Sequence, residues 1–361
     1  MNKIKKVFSL IRTPDGRRKL KKAVNQEIFK ISLPLIGICN GWNFWKPRII
    51  GIEPTNRCNL ECVMCARKYW NNADNSVGDM SMELFKGKIS PFLNYGQTVI
   101  LQCFGEPLLG EHFFKMLNEC KKRGCEVQFN TNGTLLKKYA RKLVELKTDR
   151  ITVSIDGVES FKRIRGIEID SIVDGIRELN LIKQQLNSKH PIIHIEFVAM
   201  RQNILELPEI VDLAYGLDIE VIKVTHAVIH TRQLIDQSLF MYFDIADKYF
   251  KEAHFKAKKL GIELHLPPLK EEVKFCRQPF EMIFINWDGD VRPCCNSTIN
   301  EENSIKLGNL KNFSIPNLWN NPQMRKLRIA LLRIKGLPEF CKMCPMRVYS
   351  SESHKRILKN G

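Results

Sequence analysis

The sequence predicts an α/β protein: an open barrel of six parallel strands with crossover helices, followed by a small cysteine-rich module. Short β-branched runs alternate with amphipathic helical patterns from Arg48 onward. The alternation breaks at Pro267-Pro268, and the chain after it gathers five of the twelve cysteines among turn residues such as Asp288-Gly289. Regular alternation of strand and helix implies parallel strands joined by crossovers. Such folds place their chemistry at the C-terminal ends of the strands, so the loops that follow each strand are where a site is sought.

Residues 1–47 read as a basic helical arm. Ile4, Val7, Phe8 and Ile11 follow the i, i+3, i+4, i+7 spacing of an amphipathic helix that Pro14-Asp15-Gly16 interrupts, and Leu20, Ala23, Val24 and Ile28 outline a second. The 361 residues carry a net charge of +18, and residues 1–30 hold ten Lys or Arg against Asp15 and Glu27, a net of +8. The body is therefore only mildly basic, and no specific nucleic-acid partner is expected. The arm is expected to be a solvated outer face with its apolar stripe docked on the main domain, weak association with an anionic membrane surface or with nucleic acid being the alternatives.

Residues 48–270 form the barrel core, with strands expected over 49–53, 98–102, 126–130, 150–155, 192–198 and 220–225. Helices are expected between them over 82–91, 112–123, 137–146, 171–186 and 205–215, with a long helix near 240–260. Residues 271–361 form the smaller module. Hydrophobic residues at 44% and charged residues at 27% suffice for a core and exclude a disordered or fibrous chain. The best apolar run, 31–39, is interrupted by Ser32, Pro34 and Gly37, so no membrane span is expected. The start Met1-Asn2-Lys3-Ile4-Lys5-Lys6 leads into no cleavable signal, which gives a cytoplasmic expectation. Thiols stay reduced there, and twelve cysteines then read as metal ligands or catalysts rather than as a disulfide framework.

Directly after the first strand comes Glu53-Pro54-Thr55-Asn56-Arg57-Cys58-Asn59-Leu60-Glu61-Cys62-Val63-Met64-Cys65, a C-x3-C-x2-C spacing. Three thiolates on a four-iron cube leave one iron without a protein ligand, and that open position can bind a small molecule. Buried free cysteines, or zinc with a distant fourth ligand, are the alternative reading.

The loop resembles the hallmark of the radical S-adenosylmethionine (radical SAM) superfamily. Phe104-Gly105-Glu106-Pro107 after the second strand, Asn130-Thr131-Asn132-Gly133 after the third and Ser154-Ile155-Asp156-Gly157 after the fourth are similar to the family's next loops. Taken singly, each is also a good turn sequence. The resemblance implies a four-iron cluster on Cys58, Cys62 and Cys65 with S-adenosylmethionine on its open iron. Cofactor contacts would come from Gly105, Glu106, Pro107, Asn130, Asn132, Ser154, Asp156 and Arg165, with Ser154 and Arg165 toward the methionine carboxylate. Arg163 is the alternative to Arg165.

In the smaller module Cys276, Cys294, Cys341 and Cys344 suffice for a second cube. Cys276 and Cys294 flank a hairpin turning at Asp288-Gly289, and Cys341-x2-Cys344 forms a hook. Of the adjacent Cys294 and Cys295 only one can face a cluster, since neighbours on a strand point oppositely; Cys294 is chosen. The module resembles the SPASM/twitch extension of radical SAM enzymes, which implies one auxiliary [4Fe-4S] cluster with four protein ligands. A structural zinc knot is the rival.

The resemblance implies that an electron from a donor such as flavodoxin or ferredoxin enters the first cluster, and that a 5′-deoxyadenosyl radical then removes a substrate hydrogen. The auxiliary cluster suits net two-electron oxidation. A sugar or cyclitol, dehydrogenated or epimerised, is the expected substrate; a ribosomally made precursor peptide is the alternative, and a non-catalytic metal-stabilised binder the third reading. Cys103 is a candidate hydrogen donor and His226 a candidate base, while His194 and His230 also lie near strand ends. Tyr69, Trp70, Phe104 and Trp287 are aromatic candidates for stacking a sugar ring.

Overall fold

The computed structural model describes residues 27, 30–69, 76–229, 231–270, 272–273, 275–298, 305–342, 344 and 348–349. The expected helices over 4–11 and 20–28, together with Trp70 and His230, lie outside the described residues, Glu27 excepted.

A sheet of ten strands organises the described chain. Its centre is β1 (Ile49–Ile52), β2 (Thr98–Leu101), β3 (Glu126–Thr131), β4 (Arg150–Ser154), β5 (Ile192–Ala199) and β6 (Val221–His226), the six expected strands, hydrogen-bonded in that order and all parallel. Four further strands extend it. β7 (Glu263–His265) continues parallel beyond β6, and β8 (Met282–Ile285) lies parallel along the free side of β1. β9 (Asp290–Arg292) folds back antiparallel on β8, and β10 (Gly308–Asn309) on β9. The hairpin expected at Asp288-Gly289 is the β8–β9 turn, and the sheet runs unbroken across the boundary expected at 270. Gly51 makes room for that join: a Cβ there would stand 2.2 Å from the Phe284 ring of β8.

The crossovers are α2 (Phe113–Lys122), α3 (Leu136–Glu145), α4 (Asp170–Gln185), α5 (Leu207–Gly216) and α6 (Phe243–Leu260), preceded by α1 over 30–38. Each buries one stripe, as α3 does with Leu136, Ala140, Leu143 and Val144. The helix expected over 82–91 is irregular. One turn at Met82–Leu84, capped by Ser81, widens over Phe85–Ile89 and tightens over Ser90–Phe92, because Gly87 and Pro91 both disfavour a regular helix there.

Strand alternation decides what the barrel encloses. Ile50, Val99, Leu101, Val127, Phe129, Ile151, Val153, Ile195, Phe197, Ile222 and Val224 enter the core beneath the helices. The alternate residues therefore line the inner face: Gln102, Gln128, Asn130, Thr152, Ser154, His194, Glu196, Lys223 and Thr225. Most positions of that face are polar, with Ile100, Val198 and Val221 as its apolar members.

In the smaller module, α7 (Ile315–Trp319) and α8 (Pro322–Arg333) are tied down by Arg328, which is fully buried. Its guanidinium donates to the carbonyls of Pro279 at 2.8 Å, Gly41 at 3.1 Å and Trp319 at 2.8 Å, and to Asn320 Oδ1 at 2.9 Å. It also lies over the Trp319 ring. A buried cation is tolerable only when its donors are so satisfied.

Candidate functional site

β1 delivers the chain to Glu53 and then to the three cysteines. Backbone contacts fix the loop: Met80 N donates to Pro54 O at 2.9 Å and Glu106 N to Arg57 O at 2.7 Å. A Cβ on Gly105 would stand 2.3 Å from Thr55 O, so only glycine lets the loop after β2 lie against the loop after β1. At the far end Val63, Met64 and Tyr69 pack on the apolar cluster around Ile164, and Tyr69 donates to Val63 O at 2.7 Å. Trp287 lies against Gly78. Tyr69 and Trp287 thus serve the packing of these loops.

All twelve cysteines are thiols rather than disulfides. Cys62 is buried, and Cys58 and Cys65 are half-buried. Neighbouring loops aim donors at them: Asn132 Nδ2 stands 3.7 Å from Cys58 Sγ, and Arg165 Nη1 stands 3.8 Å from Cys62 Sγ. Burial pushes the Cys62 thiol up to about 11 against the pull of Arg165, and burial raises Cys65 as well. Thiols so placed become thiolates when iron charge compensates them, which is the donor chemistry an iron–sulfur cluster requires. Among the described residues no three His, Cys, Asp or Glu side chains gather around a single metal ion.

Arg165 is aimed by Asp156. Its Nε donates to Asp156 Oδ2 at 2.7 Å and its Nη2 lies 2.5 Å from the same oxygen, while Val198 N donates to Oδ1 at 2.7 Å. Burial raises the Asp156 carboxyl and Arg165 pulls it back down. Arg163, by contrast, is exposed and bonds to Gln202. The two arginines left open by the sequence therefore separate, with only Arg165 facing the thiols. Glu106 ties loops together: it accepts from Asn132 N at 2.7 Å, Thr131 Oγ1 at 2.8 Å and Leu108 N at 3.2 Å, and burial raises it to about 7. Pro107 opens the short turn behind it.

Further along the inner face Asn130 donates to Glu196. Burial raises Glu196 and lowers Lys223 on the neighbouring strand. Ser154 ends β4 opposite Glu196 in the register.

His226 does not stand where a base is needed. It sits on the helix side of β6 with Ile222 and Val224, 4.7 Å from the Phe240 ring, and its Nε2 lies 2.9 Å from Pro268 O. Strand parity turns it away from the inner face. Cys103 is half-buried at the barrel mouth and hydrogen-bonded to Glu53. Sequence reasoning gave Glu53 no role. Its carboxylate, 1% exposed, accepts from Phe104 N and Trp287 N, each at 3.3 Å, and burial raises it to about 7. The signal was a single acid closing the apolar strand Ile49-Ile50-Gly51-Ile52.

The second cysteine group converges in a separate apolar pocket. Cys294 and Cys341 are buried with Phe280, Leu327, Leu331 and Phe340, and Cys276 packs against them. Burial pushes Cys294 well up, and the nearby thiols Cys295, Cys344 and Cys276 add to it. Cys295 turns instead toward Gln278 Oε1 at 4.0 Å. Four thiols from three segments fit a second cluster by the same argument as the first.

Two family profiles span the segments that carry these two groups of cysteines. The radical SAM superfamily profile matches residues 52–213, and the profile of an iron–sulfur cluster-binding domain, SPASM, matches residues 276–345. A cofactor-modifying protein of the tungsten-containing aldehyde ferredoxin oxidoreductase from Pyrococcus furiosus is 27% identical over 291 residues, covering 74% of this chain and 79% of that one. SuiB of Streptococcus suis bound to S-adenosylmethionine superposes with a TM-score of 0.64 at 16% identity, over 84% of this chain and 76% of SuiB. Native anSMEcpe with bound AdoMet superposes with a TM-score of 0.62 at 16% identity, over 86% of this chain and 96% of that one.

Proposed function

Because the chain belongs to the radical SAM superfamily and carries a C-terminal SPASM iron–sulfur cluster-binding domain, we propose that it oxidises a polar, hydroxyl-rich small molecule of sugar or cyclitol type. S-adenosylmethionine on the three-thiol [4Fe-4S] cluster supplies hydrogen-atom abstraction on one-electron reduction, and the auxiliary cluster supplies an electron acceptor. Cys58, Cys62 and Cys65 hold the first cluster, and Cys276, Cys294, Cys341 and Cys344 the second. The observation that carries the reading is the three-thiol loop set at the strand ends, with Arg165 and Asn132 aimed at its sulfurs.

Asp156 holds Arg165 in place to receive the cofactor's carboxylate, and Gly105 lets the backbone of the second loop approach. The polar inner face, with Ser154, Glu196 and Lys223, hydrogen-bonds the hydroxyls of the substrate and orients its C–H bond. Two-electron oxidation removes one hydrogen atom, one proton and one further electron. Glu53, raised to about 7 at the barrel mouth, accepts the proton.

A precursor peptide is the second reading. The likeness in fold to SuiB solved with its precursor peptide SuiA, at a TM-score of 0.62, favours it.

The test is anaerobic incubation with S-adenosylmethionine and dithionite. The parent should form 5′-deoxyadenosine and carry about eight irons per chain, and a Cys58→Ala/Cys62→Ala/Cys65→Ala variant should keep about four and form none. Retained cleavage would overturn the assignment. Transfer of deuterium from a labelled polyol or from a labelled peptide into 5′-deoxyadenosine separates the two substrate readings.

A further inference from the structure

Neither cluster nor the barrel interior uses the face that α1 and α8 present together. α1 packs on α8 through Ile36, buried with Leu327 and Leu331, and through Gly37, which lies near Leu332. That contact takes care of its inward stripe. Its outward stripe is apolar as well: Ile31, Leu35 and Ile38 share one side and are 62%, 40% and 81% exposed. The chain beyond α1 continues the patch with exposed Trp42 and Phe44. A helix of a water-soluble surface carries one apolar stripe, and α1 carries two.

Beside this patch a groove of about 420 Å³ runs between Asn40 and α8. Arg325, Lys326, Arg333 and Lys335 line it, with no carboxylate among the lining residues. Arg325 donates to Asn40 O at 3.0 Å and lies over the Trp42 ring, so the cationic groove borders the exposed aromatic that follows α1. Residues 1–30 add a net charge of +8 just ahead of it in the chain. No helix among the described residues is long and apolar enough to cross a membrane.

Cations beside exposed aliphatic and aromatic side chains match a bilayer interface, where headgroup phosphates take the charges and the acyl boundary takes the apolar groups. An acidic protein would satisfy the cations but leave Ile38 and Phe44 in water. We propose that the α1–α8 face binds the surface of an anionic phospholipid bilayer, with phosphate headgroups in the groove and Ile31, Leu35 and Ile38 in the acyl boundary.

Flotation of the full-length, cluster-loaded protein with vesicles tests this. Binding is expected to phosphatidylcholine vesicles containing phosphatidylglycerol and not to phosphatidylcholine alone. A Lys326→Glu/Arg333→Glu/Lys335→Glu variant should partition at least on the order of 100-fold more weakly, and Ile31→Ser/Leu35→Ser/Ile38→Ser should also bind more weakly. Cleavage of S-adenosylmethionine without vesicles should be unchanged in both, since none of these residues belongs to the catalytic machinery. Failure of the parent to bind overturns the proposal, and so does parental binding by the charge-reversal variant, because the N-terminal arm alone would then account for the attraction. So does full binding by the serine variant, which would mark a purely electrostatic contact. Should the serine variant lose its clusters, brominated acyl chains decide: they should quench fluorescence of the parent more than of Trp42→Phe, and equal quenching contradicts insertion.

Discussion

Arg165 grips Asp156 with one edge of its guanidinium and faces Cys62 with the other: Nε donates to Asp156 Oδ2 at 2.7 Å while Nη1 lies 3.8 Å from Cys62 Sγ. Both side chains are buried, so breaking the pair strands a charge. Asp156→Met or Arg165→Met alone should cost about 3–5 kcal/mol of stability, and the Asp156→Met/Arg165→Met double variant less than those two single changes summed. Denaturant unfolding of the four proteins measures this. Arg165→Lys keeps the charge but not the two-pronged grip. It should slow S-adenosylmethionine cleavage about tenfold or more with iron content unchanged.

Glu53 sets a pH dependence. Its carboxyl titrates near 4.5 when the chain is unfolded and near 7 when folded, because burial penalises the charge. Between those values the folded state holds more protons than the unfolded state, so stability falls as pH rises from about 4.5 to 7 and the loss is complete above 7. The loss contributed by this group is about 3 kcal/mol. Glu53→Gln should therefore melt higher than the parent at pH 8 and lose that advantage at pH 4.5, as read by paired thermal melts. An advantage independent of pH would contradict the burial argument.

The two adjacent cysteines give a sharper contrast. Cys294 lies in the apolar pocket with Cys341, whereas Cys295 turns toward Gln278. Cys294→Ala should lose about four irons and Cys295→Ala none, by colorimetric iron analysis.

Much of the fold is legible in the sequence. The six central strands follow from β-branched runs between amphipathic helices, because that alternation is what parallel strands joined by crossover helices leave in a sequence. β7 was not assigned, and β8 was expected only as an arm of the Asp288-Gly289 hairpin, not as the neighbour of β1. Glu263-Leu264-His265 is too short to show alternation, and the pairing of Met282–Ile285 with β1 is a contact across more than half the chain that no local pattern encodes. Cysteine spacing pointed to both groups of thiols. The placement of His226 was not legible, since one step of strand parity decides whether a side chain faces the interior or the helices. Glu53 was overlooked for a related reason: its neighbours Phe104 and Trp287 come from two other loops.

Arg328 joins the N-terminal segment to the smaller module without a carboxylate among its hydrogen-bond partners, through carbonyls and one side-chain amide. Arg328→Met fills the same space but leaves those acceptors unpaired, so a loss of about 3 kcal/mol or more is expected. A lowered thermal midpoint with iron retained at low temperature checks it.

The most direct measurement is the Mössbauer spectrum of protein reconstituted anaerobically with isotopically enriched iron, before and after S-adenosylmethionine is added. If Cys58, Cys62 and Cys65 leave one iron open, one iron per chain changes its isomer shift on addition, and the change vanishes in the triple alanine variant. A spectrum that S-adenosylmethionine leaves unaltered, or the same change in the triple variant, would contradict the account.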